Sequence, residues 1–139
     1  MVSLQDAVCD FTGLIENILE ETIDRSEFSD LTQKQLYYLK AIVRMKNPTV
    51  TMLSREFCLS KPTVTVLLDR LEEKGYIIRF RSDKDKRIVL IQPDKKGERI
   101  NELRQIACEK ISEKIRTGLS REDAMIFADL LKKISEHSG

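Results

Sequence analysis

Residues 53–87, LSREFCLSKPTVTVLLDRLEEKGYIIRFRSDKDKR, read as a helix, a tight turn, a second helix and then a basic β-hairpin. Cys58-Leu59-Ser60 makes the turn, and Ser60 is placed to cap the second helix. Pro62 sits in that helix's first turn, where its missing N–H costs nothing. Val64, Leu67, Leu68 and Leu71 recur at helical spacing and make a buried stripe, and Gly75 stops the helix as the residue after its C-cap. Two short β-branched and aromatic runs, Tyr76–Arg81 and Ile88–Gln92, bracket SDKDKR and read as the strands of the hairpin.

With that stripe turned inward, the opposite face of the second helix carries Lys61, Pro62, Thr63, Thr65, Val66, Asp69 and Arg70. Small hydroxyls suit phosphates or base edges, Val66 or a threonine methyl suits a thymine methyl, and Arg70 suits a guanine or a phosphate. The hairpin adds Arg79, Arg81, Lys84, Lys86 and Arg87 against Asp83 and Asp85. Asp85 lies two residues before Arg87, close enough to hold its guanidinium for a narrow minor groove. Amphipathic surface helices show polar residues outward whatever their task, and a charged turn is usually just solvated. A helix-turn-helix followed directly by such a hairpin is more specific than either part, and fits two adjacent grooves of duplex DNA.

Upstream, Leu31 to Leu36 carries a helix start. Thr32 and Gln35 form a capping box, Leu31 and Leu36 occupy the staple positions, and the helix runs to about Met45 before Asn47-Pro48. A short helix capped near Thr49 or Thr51 leads to the turn. Residues 3–23 form a helix whose Leu4, Val8, Phe11, Ile15 and Ile18 lie on one face, suiting an arm packed on a second subunit or on its own domain. Downstream, Asp94 caps a long helix over 95–117 with Ile100, Leu103, Ala107, Ile111 and Ile115 as its stripe. Ser120 opens a last helix with Ala124, Phe127, Leu130, Leu131 and Ile134 expected inward.

The 139 residues, 41% of them apolar, suit one compact domain. No run approaches the ~18 apolar residues of a membrane span, and MVSLQDAVCD has neither the basic region nor the apolar stretch of a signal peptide. The expected location is cytoplasmic, without membrane association. The formal charge of +1 conceals an asymmetry: residues 1–31 hold eight acids against Arg25 alone, a net of −7, leaving +8 for the rest. That layout is expected where one end faces nucleic acid and the other a partner. Cys9, Cys58 and Cys108 are far apart with no CxxC pair, and His137 is the one histidine, so neither a metal site nor another cofactor is expected. No nucleophile elbow, phosphate-cradling glycine loop or suitably placed histidine base supports an enzyme.

LSREFCLSKPTVTVLLDRLEEKGYIIR, the Asp85-Lys86-Arg87 triplet and the capped Asp94-Lys95-Lys96-Gly97 together resemble the MarR-type winged helix-turn-helix regulators, over essentially the whole chain. The resemblance implies a mainly α fold with a small β-hairpin wing: one domain over 1–139, with a DNA-binding lobe at about 32–93 and dimerisation helices in 1–31 and 94–139. It implies a homodimer on a pseudo-palindromic double-stranded operator, repressing transcription until a small aromatic or phenolic effector, or cysteine oxidation, releases the DNA. By position, Ser60, Lys61, Pro62, Thr63, Thr65, Val66 and Arg70 would contact the groove or phosphates, with Lys84, Asp85, Lys86 and Arg87 in the wing. Phe11, Ile15, Tyr37 and Tyr38 are the ligand-contact candidates, although apolar residues on such faces are more often plain core.

Two positions depart from the family pattern. Cys58 stands in the turn where glycine is common, and Pro93-Asp94 replaces the usual Leu-Thr, with Asp capping as well as Thr. Cys9 lies off the apolar stripe of its helix, but Asp6 and Asp10 oppose thiolate formation there, so it reads as an inert thiol. A winged-helix protein-interaction module without DNA readout is the competing class. The acids Asp69, Glu72 and Glu73 on or near the reader helix are what leave it open.

Overall fold

The computed structural model describes residues 1–138. Its elements are α1 (Leu4–Thr22), a 3-10 turn (Arg25–Phe28), α2 (Gln33–Met45), α3 (Val50–Phe57), α4 (Lys61–Glu73), β1 (Ile77–Arg81), β2 (Val89–Pro93), α5 (Lys95–Gly118) and α6 (Arg121–His137). The chain divides into two compact units, residues 23–104 and residues 1–22 with 105–139.

In the 23–104 unit each helix begins where the sequence supplies a cap. Thr32 and Gln35 exchange side-chain and backbone hydrogen bonds at 3.0 and 3.1 Å, completing the capping box of α2. Thr49 caps α3 and Ser60 caps α4, each accepting from the backbone N–H three residues on. Gly75, at φ 83°, ends α4 in a Schellman motif: its own N–H donates to the Glu72 carbonyl and that of Tyr76 to the Leu71 carbonyl.

The strands pair antiparallel with Ile77 opposite Pro93 and Arg81 opposite Val89. Pro48 and Thr49 extend the hairpin's inner edge, the Pro48 carbonyl accepting from the Ile91 N–H at 2.9 Å and Thr49 bridging Leu90. Leu39, Ile42, Leu53, Val64, Leu68, Leu71, Ile77, Ile91 and Ile100 are closed to solvent and form one core. Each such side chain contributes about 1.5–3 kcal/mol on burial. Leu67, expected in the buried stripe, is only half-buried.

This unit is wider than the lobe read from the sequence. Phe28 and Leu31 are buried in it upstream, and Ile100 and Leu103 downstream. The connection between α1 and α2, which the sequence left undescribed, is tied down by polar contacts. Asp24 accepts from the Ser26 N–H to start the 3-10 turn, and Glu27 pairs with Arg99 at 2.9 and 3.2 Å. The Tyr76 hydroxyl and the Lys74 ammonium both donate to Asp30, to its carboxylate and its carbonyl respectively. Thus two of the acids counted into the acidic arm are engaged within this unit by its own cations and a phenol.

The second unit comprises α1, the greater part of α5, and α6. Its interior is thin. Ile18, Thr22 and Ala107 are buried, the Phe11 and Phe127 rings meet at 6.0 Å, and Lys110 donates to the Thr22 hydroxyl at 3.2 Å. The expectation that α6 turns its stripe inward is corrected here: no residue of α6 is buried, and Leu130, Leu131 and Ile134 are exposed within the single chain. Leu4, Val8, Met125 and Ile126 are exposed as well. Among the described residues no helix is long and apolar enough to cross a membrane.

Candidate nucleic-acid interface

The α3–α4 turn sets where the reader helix begins. Cys58 closes α3 in the left-handed conformation, φ 53° and ψ 42°, its N–H reaching back to the carbonyls of Ser54 and Arg55. The Ser54 hydroxyl then donates to the Leu59 carbonyl, and the Ser60 hydroxyl accepts from the Thr63 N–H at 3.3 Å. Ser60 and Thr63 also share a hydroxyl–hydroxyl bond at 2.8 Å, and Thr65 donates to the Lys61 carbonyl at 3.0 Å. These contacts fix the rotamers of small hydroxyls that remain exposed at the surface. Lys61, Pro62, Thr63, Thr65, Val66 and Arg70 are all exposed, so the face read from the sequence is the face presented.

The wing tip is held by its own backbone. Ser82 Oγ accepts from the Lys84 N–H, Asp85 Oδ1 from the Arg87 N–H, and the Ile88 N–H donates to the Asp85 carbonyl. The Arg87 guanidinium grips the same carboxylate through Nε at 3.1 Å and Nη2 at 3.2 Å while its side chain stays 91% exposed. Hydrogen bonding from the Arg87 side chain, then from its N–H, holds the Asp85 carboxyl below its ordinary value. Lys84, Lys86 and Arg87 are therefore the outward cations of this tip.

Two further arginines that the sequence counted among the hairpin's charges are hydrogen-bonded internally, the exposed Arg81 within the tip and Arg79 to another element. Arg81 donates to the Lys86 carbonyl at 2.9 Å. Arg79 reaches across to α4, donating to Asp69 and to Glu72 at 2.6 Å each. Burial opposes the Arg79 charge, but its hydrogen bonds to the Asp69 and Glu72 carboxylates outweigh that and raise its pKa. Two of the three acids that made the reader helix look unsuited to DNA thus have an internal counter-ion.

On the other flank of α4 an open cleft of about 270 Å³ brings Lys34 and Tyr38 of α2 beside Thr63, Val66 and Arg70. Lys34 was not singled out from the sequence, because on α2 alone it is one more solvated lysine. The ligand-contact candidates fall in different units. Phe11 and Ile15 are half-buried in the helical one; in the other, Tyr38 is buried against Phe57 at 4.5 Å and Tyr37, 64% exposed, meets Tyr38 edge-on. Cys9, Cys58 and Cys108 are free and exposed, and no group of His, Cys, Asp or Glu among the described residues has metal-holding geometry.

A capped reader helix followed by a two-stranded wing, both resting on one core, defines a winged helix-turn-helix protein. The MarR family profile matches residues 31–89. The structure is similar to that of FabT from Streptococcus pneumoniae, solved in complex with DNA: 30% identity, 97% of this chain and 96% of that one covered, TM-score 0.62. The chain is 23% identical over 108 residues to the HTH-type transcriptional regulator FarR of Neisseria gonorrhoeae, covering 78% of this chain and 74% of the relative. Its fold also matches the reduced form of MarR from E. coli, at 23% identity, 96% and 97% coverage and TM-score 0.59. The protein belongs to the MarR family.

Proposed function

We propose that the protein is a sequence-specific DNA-binding transcriptional regulator, acting as a homodimeric repressor on a pseudo-palindromic operator. The observation that carries this reading is the pairing of an exposed, hydroxyl- and cation-bearing face on α4 with a wing whose Arg87 is oriented by Asp85. The FabT relative, at 30% identity, is a DNA complex, and the curated relatives are transcriptional regulators. In this role Ser60, Lys61, Pro62, Thr63, Thr65, Val66 and Arg70 enter the major groove. Lys84 and Lys86 meet phosphates, and Arg87, held by Asp85, reaches the adjacent minor groove. Residues 1–31 and 94–139 supply the dimerisation helices, placing two reader helices about 34 Å apart on one DNA face.

Release by a small aromatic or phenolic effector belongs to the same proposal, with Phe11, Ile15, Tyr37 and Tyr38 as contact candidates, and the site of action is the cytoplasm. The competing protein-interaction reading is weakened, because Arg79 pairs with both Asp69 and Glu72 and offsets part of their charge.

DNA fragments selected by the purified protein from a random pool should converge on an inverted repeat. Anisotropy titrations on that duplex at several salt concentrations should show a steep salt dependence, and Arg87→Ala should weaken binding and lower the slope by about one. A pool that fails to converge, with equal affinity for every duplex, refutes sequence-specific regulation.

A further inference from the structure

Arg79 and Arg87 stand on one hairpin and differ in what surrounds them. Arg87 grips a single carboxylate and leaves 91% of its side chain in solvent, whereas Arg79 is 29% exposed and spans two carboxylates. Asp69 and Glu72 are i and i+3 on α4, so they share one helix face, and the fork of a guanidinium fits both at once. Both bonds are 2.6 Å, at the short end for charge-assisted pairs. The open cleft of about 280 Å³ at this junction is lined by Asp69, Glu72, Glu73 and Arg79, three carboxylates to one cation. A phosphate is repelled from such a place, although Arg79 belongs to the wing that faces DNA.

From this geometry we propose that Asp69 and Glu72 are specificity-determining residues, which withhold Arg79 from the DNA backbone and convert it from a phosphate contact into a brace fixing the reader helix against the wing. The inference rests on the DNA-binding reading above. A backbone contact by Arg79 would strengthen binding to every sequence alike, since phosphates carry no sequence information. Holding it internally lowers the shared, salt-sensitive part of the affinity and keeps the angle at which the base contacts of α4 and the wing act together. Arg79 is accordingly a positioning residue, and its carboxylate partners are part of the selectivity of the site without touching a base.

The test uses full-length protein, the duplex it selects and a scrambled duplex of the same length. The double variant Asp69→Asn with Glu72→Gln preserves side-chain shape while removing both charges. It should bind the scrambled duplex about tenfold more tightly, steepen the salt slope by about one, and narrow the ratio between the two duplexes. Arg79→Met should weaken the selected duplex with no fall in slope, whereas a residue contacting phosphate directly would lower it by about one. Urea melts of each variant exclude unfolding as the cause. An unchanged slope and ratio in the double variant, or a lowered slope in Arg79→Met, overturns the proposal while leaving sequence-specific binding intact. A wild-type protein indifferent to sequence overturns both.

Discussion

The α-carbon of Gly97 lies against the carbonyl oxygen of Tyr76, so a β-carbon at 97 would collide with that oxygen and stand 2.9 Å from Cβ of Pro93. The same carbonyl accepts the Asp94 N–H at 2.9 Å, which brings the first turn of α5 down onto the end of the reader helix. Because the obstacle is backbone, no rotamer change relieves it. Gly97→Ala should cost about 3 kcal/mol, the upper part of the usual range for overpacking, read as a lower urea midpoint. A midpoint equal to wild type would mean the close approach is absent in solution.

Cys58 pays the steric cost of the left-handed region for the sake of a turn that glycine would make freely. Its thiol adds only a long 3.8 Å contact to the Arg55 carbonyl. Cys58→Gly should therefore stabilise the protein by about 0.5–1 kcal/mol after the larger chain entropy of glycine in the unfolded state is subtracted. Denaturant melts should show a higher midpoint at constant slope, and operator affinity should be retained because Ser60 still caps α4. Destabilisation instead would assign the thiol a packing role.

The Tyr76 phenol is buried and donates to Asp30, which lies before α2. Burial first, then the Asp30 hydrogen bond and charge, pushes its pKa well above the ordinary tyrosine value. A raised folded-state pKa means the contribution is complete below pH about 10 and is lost as pH climbs further, since only the unfolded phenol then ionises. Tyr76→Phe should cost about 1–2 kcal/mol at neutral pH, because the Asp30 carboxylate that accepts the bond is partly solvated. Between pH 8 and 10.5 the wild type should lose more stability than the variant; equal losses would exclude this phenol from alkaline unfolding.

Local chemistry accounts for what was readable in the sequence. Capping boxes, the Pro62 position and the Gly75 stop act within a few residues, so Thr32, Ser60 and Gly75 mark α2 and α4 almost to the residue. The Asp85–Arg87 pair was legible for the same reason. Arg79 was misread because its partners lie 7 and 10 positions away on another element. The Asp30–Tyr76 tie, 46 positions apart, left no sequence trace at all. Periodicity picks out the apolar positions of α6 but carries no information on what covers them: Ala124 and Phe127 are half-buried in the single chain, whereas Leu130, Leu131 and Ile134 are exposed.

That uncovered stripe makes the dimer testable. Leu131 and Ile134 are 41% and 63% exposed in the single chain, one helical step apart on α6. If a second copy covers them, the area still exposed adds about 0.5–2 kcal/mol per side chain on association. Twofold symmetry makes Leu131→Lys with Ile134→Lys remove four such side chains from one interface and add four charges to it. The dimer dissociation constant should rise by at least about a thousandfold, a shift of roughly 4 kcal/mol. Sedimentation equilibrium at micromolar concentration should then find wild type at twice the chain mass and the variant at once. Circular dichroism should show the 23–104 unit still folded, because that unit has its own closed core. Binding to the inverted repeat should fall to that of a half-site, since one reader helix no longer brings the other with it. A wild-type protein that sediments as a monomer would end the dimer proposal, and with it the expectation of a palindromic operator.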